Sequence, residues 1–247
     1  MYNQRIIPMK NILIPTTLQA DTINAVKTAI KQSKGKNCSI ILLQISDVPD
    51  TDSSAFFLRS VKNQLSVSQK SILDSCRNLT AVAQNCTFKL QHQYGISAPL
   101  MRNLLEHLHV GLIILTPSYK KAERKIHNQF LQILTNCKFP ILHLNSNFEE
   151  HDFNKAMYLE QTKSKLQAED LQQLVQDQFD FKIVSQAIIF EDQNPEEISP
   201  QLFEAISRNE IDLLIQTRKP EKIKSNKKSN INESLGLPVL SLYEELA

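Results

Sequence analysis

Apolar residues along this chain fall into short unbroken runs, and between the runs they recur every three or four positions. A run of four to eight apolar residues bounded by turn signals reads as a buried strand, whereas the longer period reads as an amphipathic helix. On that basis "KNILIPTT", "SIILLQIS", "VGLIILT" and "FPILHL" predict buried strands, and "TFKLQHQYG" alternates as a strand toward Gly95. The first helix carries Ile23, Val26, Ala29 and Ile30 on one face, with Asp21 as its expected N-cap and Gly35 where a C-cap belongs. A long helical pattern from about Phe56 to Gln84 carries Phe57, Val61, Leu65, Ile72, Leu73, Cys76 and Leu79. "SAPLMRNLLEHLH", with Pro99 in its first turn, and "NQFLQILTN" complete the helices of this half. The order β-α-β-α-β-α-β-α-β, closed by right-handed crossovers, predicts an α/β fold with one doubly wound parallel sheet covered on both faces.

The remainder repeats part of this pattern. "SPQLFEAISRNEIDLLIQT" (Ser199 to Thr217) aligns with "APLMRNLLEHLHVGLIILT" (Ala98 to Thr116), pairing Pro200 with Pro99, Ile206 with Leu105 and Leu214 with Ile113. "GLPVLSL" around Pro238 echoes "KFPILHL" around Pro140, and "FKIVSQ" from Phe181 echoes "FKLQHQ" from Phe88. The expectation is a duplication: a complete domain over residues 9–146 and a reduced one over 154–247. After "KAMYLE" there is room for one helix, Ser164 to Gln178, so one β-α unit is missing. "RKPEKIKSNKKSNINES" has no apolar period and reads as a loop in place of a helix.

Composition narrows the function more than it names it. Of 247 residues, 28 Lys and Arg against 26 Asp and Glu leave a formal charge of +2, which gives no global field for nucleic acid or an acidic membrane. The basic runs lack interleaved aromatics, which argues further against nucleic acid. No apolar run reaches bilayer length, and "MYNQRIIPMK" lacks a signal core, so a soluble cytoplasmic protein is expected. Cys38, Cys76, Cys86 and Cys137 stand singly, with no paired spacing and no histidine at zinc-ligand distance, and read as small apolar core residues. There is no G-x-S-x-G elbow, H-E-x-x-H helix or Walker lysine in a glycine loop, so no catalytic carrier and no metal site is expected.

The order of "MKNILIPTT", "QYGISAPLMRNLLEH", "VGLIILT" and "FPILHL" resembles the universal stress protein family, an adenine nucleotide alpha hydrolase-like fold, in its tandem two-domain form. The resemblance implies a nucleotide site. Nucleotide-binding members carry an Asp just past the first strand, two glycines three apart after the fourth strand, and then a Gly-Ser pair. Glycine serves there because only a backbone without side chains lets its N–H groups approach a phosphate. Here the matched positions hold Thr17, then Thr116 and Tyr119, then His127 and Asn128. ATP binding in the family manner is therefore disfavoured, and no cofactor is expected. The resemblance also implies association through the closing strand, "FPILHL" or "LPVLSL", either as a pseudo-dimer of the two halves within one chain or as a homodimer. It names no other protein partner.

In a family-like strand order the crevice lies between the first and fourth strands. That brings Thr16, Thr17, Thr116 and Ser118 together, where hydroxyls suit a small polar ligand or simply cap helices and satisfy strand ends. Lys120, Lys121, Arg124 and Lys125 follow the fourth strand, and Lys219, Lys222, Lys224, Lys227 and Lys228 follow its counterpart. Such point charges attract an anion without glycines, or are solvated loops. The reading is a non-catalytic binding or interaction protein of stress-response type. Its alternative is a nucleotide-dependent switch or weak ATPase using Lys120 and Lys121 in a remodelled basic crevice.

Overall fold

Strands buried on both faces need helices above and below, and the chain alternates the two through its first half. The computed structural model describes residues 11–33, 35–48, 65–146, 152–161, 171–173, 175, 179–189, 195–219 and 235–244. In chain order the first half gives β1 (Asn11–Pro15), α1 (Asp21–Gln32), β2 (Cys38–Ser46), α2 (Val67–Val82), β3 (Cys86–Tyr94), α3 (Ala98–His107), β4 (Val110–Leu115), α4 (Pro117–Lys120), α5 (Lys125–Thr135) and β5 (Ile141–His143). The second half gives β6 (Lys155–Gln161), β7 (Lys182–Ile189), α6 (Pro195–Asn209), β8 (Leu213–Arg218) and β9 (Val239–Tyr243). Residues 171–173 and 175 are also helical. The expected helix from Phe56 is described from Val67, where Ser66 forms a capping box with Gln69. Its first part, most of the helix from Ser164 and the lysine-rich stretch after Lys219 lie outside the described residues.

The strands form one nine-stranded sheet in the order β3-β2-β1-β4-β5-β9-β8-β6-β7. Every neighbouring pair is parallel except β5 and β9, which run antiparallel with Leu142 opposite Leu240. The halves are built alike on either side of that pair. Ile113 N–H donates to Pro140 O at 3.0 Å, and the aligned Leu214 N–H donates to Pro238 O at 2.9 Å. His109 and the aligned Glu210 both turn from helix to strand through positive φ, 48° and 54°. The halves diverge at the outer edge: β1 lies between β2 and β4, and β6 lies between β7 and β8. β7, whose sequence echoes β3, thus occupies the place of β2. With a β-α unit gone, the next strand pairs directly with the open side of β6.

Alternation along the strands sorts the core into layers. Ile12, Ile14, Ile40, Leu42, Leu112 and Ile114 pack under Ala25, Val26 and Ala29 of α1 and Leu73 and Cys76 of α2. The same cluster continues across the seam to Tyr158, Leu213, Ile215 and Leu240 under Leu171 and Val175. On the opposite face Leu13, Leu43, Ile113 and Leu115 meet α3, α4 and α5 through Met101, Leu105, Tyr119, Ile126 and Phe130. A separate cluster in the second half joins Met157, Leu159, Leu214 and Val239 to Leu202 of α6. All six residues of β4 are buried, as a continuous apolar run requires. Among the described residues no helix is long and apolar enough to cross a membrane.

Only three residue pairs join β5 to β9, and Arg218 reinforces them. From the end of β8 its Nε donates to Thr135 O at 3.2 Å, and its Nη2 donates to Cys137 O at 2.8 Å and to Phe139 O. Its Nη1 donates to Ser241 O at 2.5 Å and to Ser241 Oγ at 3.3 Å, and the guanidinium lies 5.8 Å from the centre of the Tyr243 ring. Across the seam Asn145 Nδ2 donates to Gly236 O. A planar fork reaches acceptors on both halves at once, which an ammonium does not. Arg218→Ala is expected to destabilise the protein by about 1–3 kcal/mol, because half-buried carbonyls lose charged donors. Arg218→Lys recovers only part of that, read from urea denaturation midpoints.

Candidate functional site

β1 and β4 are neighbours whose following helices cover opposite faces, so the crevice at their carboxyl ends is the topological switch point. Of the hydroxyls expected to line it, those of Thr16, Thr116 and Ser118 are engaged within the protein. Thr16, 2% exposed, has its Oγ1 2.8 Å from Thr22 Oγ1 of α1 and accepts Leu18 N–H at 2.8 Å. That bond holds the buried Leu18 at φ 57°, a conformation in which a branched side chain is uncommon. Thr17 contributes its carbonyl, which accepts Gln69 Nε2 at 3.2 Å and ties the start of α2 to the crevice. Thr116 caps α4: its Oγ1 accepts Tyr119 N–H at 3.3 Å and lies 3.2 Å from Ser118 Oγ.

The central contact is one that sequence spacing does not reveal. Asp21 Oδ2 accepts Ser118 N–H at 2.8 Å, and Asp21 Oδ1 accepts Ser118 Oγ at 2.6 Å, linking the first turn of α1 to α4 across the switch point. Asp21 is therefore not the N-cap of α1. Ala20 holds that position, and its methyl group offers no acceptor, while the Asp21 carboxylate is taken by two donors on α4. A charged acceptor for a backbone N–H and a hydroxyl forms the stronger kind of hydrogen bond. The amides that open α4 are thus met from within, Ser118 by Asp21 and Tyr119 by Thr116.

Tyr119 and His127, which the family resemblance sets against glycine positions, meet in the interior. Tyr119 is fully buried and His127 is 4% exposed; Tyr119 Oη lies 3.2 Å from His127 Nδ1, and the rings meet edge-on at 5.1 Å. Phe130 closes the cluster at 6.5 Å from Tyr119. Burial pushes the phenol well above its ordinary range. It pushes the His127 imidazole down, as does the Arg124 charge, against an opposing pull from Asp47. Burial thus favours the neutral form of both side chains.

The basic loop divides. Lys121, Arg124 and Lys125 are exposed, whereas Lys120 is half-buried at the end of α4. Its charge is felt by His143 on β5, whose imidazole is held down to about 3 by burial first, then by Lys120 and by Arg218. In the second half Lys219 Nζ lies 3.8 Å from the buried Glu244 carboxylate. The crevice itself holds about 180 Å³ between Asp21, Asn24, Pro117, Leu144, Asn145 and Ser146. Its lining includes one carboxylate and two amides but no cation. Among the described residues no group of three or more His, Cys, Asp or Glu is placed to hold a metal ion.

No protein-family model and no curated protein sequence matches this chain. Among solved structures the fold is similar to that of a universal stress protein from Archaeoglobus fulgidus DSM 4304, with a TM-score of 0.56 and 10% identity over 96% of this chain and 97% of that one. It is also similar to a functionally unknown protein from Pseudomonas aeruginosa PAO1, with a TM-score of 0.50 and 10% identity over 96% and 94% of the two chains. The chain has a universal stress protein-like α/β fold, matched along almost its full length rather than over one half.

His143 gives the seam a pH dependence of defined sign. Its folded value of about 3 lies below the ordinary 6.5, so the fold favours the neutral ring. That contribution is complete above pH 6.5 and is lost as the pH falls toward about 3. A single such histidine adds a slope of at most about 1.4 kcal/mol per pH unit in that window. His143→Leu, which does not titrate, should lose stability less steeply than the native chain in urea melts between pH 6.5 and 4.5.

Proposed function

We propose that this chain is a cytoplasmic, non-catalytic binding or interaction protein, of stress-response type by its fold, which does not hold ATP through a backbone phosphate cradle. The observation that carries this reading is the Asp21 carboxylate on Ser118 N–H and Oγ. A phosphate at a helix N-terminus uses such donors. Here an internal anion already uses them, and an incoming phosphate would have to displace it against like charge. Tyr119 and His127 support the same reading by filling space that glycine would leave open. The crevice volume of about 180 Å³ lies below the roughly 300–1,000 Å³ of ordinary small-molecule pockets. The edge that the family resemblance assigns to dimerisation is used inside the chain by the β5–β9 pair, which supports an intramolecular pseudo-dimer.

Thermal unfolding with and without Mg-ATP tests the proposal. A ligand bound only by the native state at about 100 times its dissociation constant adds about 2.7 kcal/mol, a melting shift of several degrees. The expected result is no shift at millimolar ATP and no nucleotide released when purified protein is denatured. A clear shift that disappears in Lys120→Ala with Lys121→Ala would instead establish the nucleotide switch on the basic crevice.

A further inference from the structure

Cys38 and Cys86 are far apart in the sequence, yet each opens its strand, and they are direct partners in the parallel register of β2 and β3. Neighbouring strands lie about 4.8 Å apart, inside the span over which a disulfide bridges two Cα atoms. The side chains share one face: Cys38 belongs to the core cluster of Ile40 and Leu42, and Cys86 packs against that cluster. The surrounding backbone fixes the pair. Cys38 N–H donates to Asn85 O at 3.0 Å, Asn85 Nδ2 donates to Gly35 O at 2.5 Å, and Cys86 Sγ donates to Ser33 Oγ at 3.5 Å. All four cysteines are thiols; Cys76, fully buried on α2, shares the core cluster but not the strand register, and Cys137 lies beyond α5 against the opposite layer.

Access differs between the two sulfurs. β3 is the outermost strand and Cys86 is half-buried, whereas Cys38 is 7% exposed. Burial first, then the neighbouring Cys86, raises the Cys38 thiol to about 11. Cys86 is therefore the sulfur that meets an oxidant, and Cys38 is the one that follows.

We propose that Cys38 and Cys86 form a redox-modifiable pair that closes to a cross-strand disulfide when the protein meets a hydroperoxide. The Cys86 sulfur attacks the peroxide oxygen, the O–O bond breaks, and Cys86 becomes a sulfenic acid as an alcohol leaves, or water in the case of hydrogen peroxide. The Cys38 sulfur then displaces the hydroxyl from Cys86, which leaves as water with the proton that Cys38 gives up. In total two thiols lose two electrons and two hydrogens, and one O–O bond is reduced. The bond ties the outer strand β3 covalently to β2.

Hydrogen peroxide on the purified full chain, followed by alkylation in denaturant and peptide mass spectrometry, tests this. The expected product joins the peptides carrying Cys38 and Cys86 with loss of two hydrogens, while Cys76 and Cys137 are alkylated. In Cys38→Ser a sulfenic acid should persist on Cys86 and be trapped by dimedone. The same oxidation in guanidinium should lose the preference for this pair, since the preference comes from strand register. Full alkylation of both residues after oxidation of the folded chain overturns the proposal. So does a dominant bond between any other pair, or a preference for Cys38 with Cys86 that survives unfolding.

Discussion

Three backbone pairs between β5 and β9 hold two α/β halves in one sheet, and the arrangement of the rest follows from that antiparallel join. A closing strand left at an edge would present unpaired N–H and C=O groups to any other strand. Here each half supplies the other's missing neighbour, and Leu142 faces Leu240 at the centre. Because the two strands run in opposite directions, corresponding faces of the halves become continuous. One apolar cluster therefore passes from α1 and α2 across the seam to Leu171 and Val175. On that face the seam is covered by one shared apolar layer, while on the other face each half keeps its own cluster. Burial of each such side chain is worth roughly 1.5–3 kcal/mol, so the shared layer outweighs the few ladder hydrogen bonds that align it.

At the switch point the polar groups of the crevice are closed on one another within the protein. α4 still begins where β4 ends, and its first amides still face the crevice. Asp21 and Thr116 supply their acceptors, and Tyr119 with His127 fills the space behind them. These contacts depend on one another. Asp21 reaches Ser118 because α1 starts close to β4, and Tyr119 sits inward because Thr116 caps the turn that carries it.

Continuous apolar runs were the legible part of the sequence. β4, buried at every position, could be read directly, and so could the paired motifs around Pro140 and Pro238 that lead into the seam strands. The bond from Asp21 to Ser118 was not legible, since an acidic residue before a helical pattern looks like a cap and the true partner is 97 positions away. The juxtaposition of Cys38 and Cys86 was hidden for the same reason: register across parallel strands is set by the crossovers, which local pattern does not encode. β7 resembles β3 in sequence, "FKIVSQ" to "FKLQHQ", yet pairs with β6 in the place that β2 holds beside β1. Strand sequence records burial, while position in the sheet depends on which edge is open.

Arg218 occupies the position that Pro117 holds in the first half. One half uses that place to start a short helix at the crevice, and the other uses it to send a guanidinium across to Thr135, Cys137 and Phe139. Two identical subunits could not do both, because a single codon would dictate the same residue on each side of the two-fold. Two halves joined in one chain are free of that constraint, so equivalent places can carry a crevice on one side and a brace on the other.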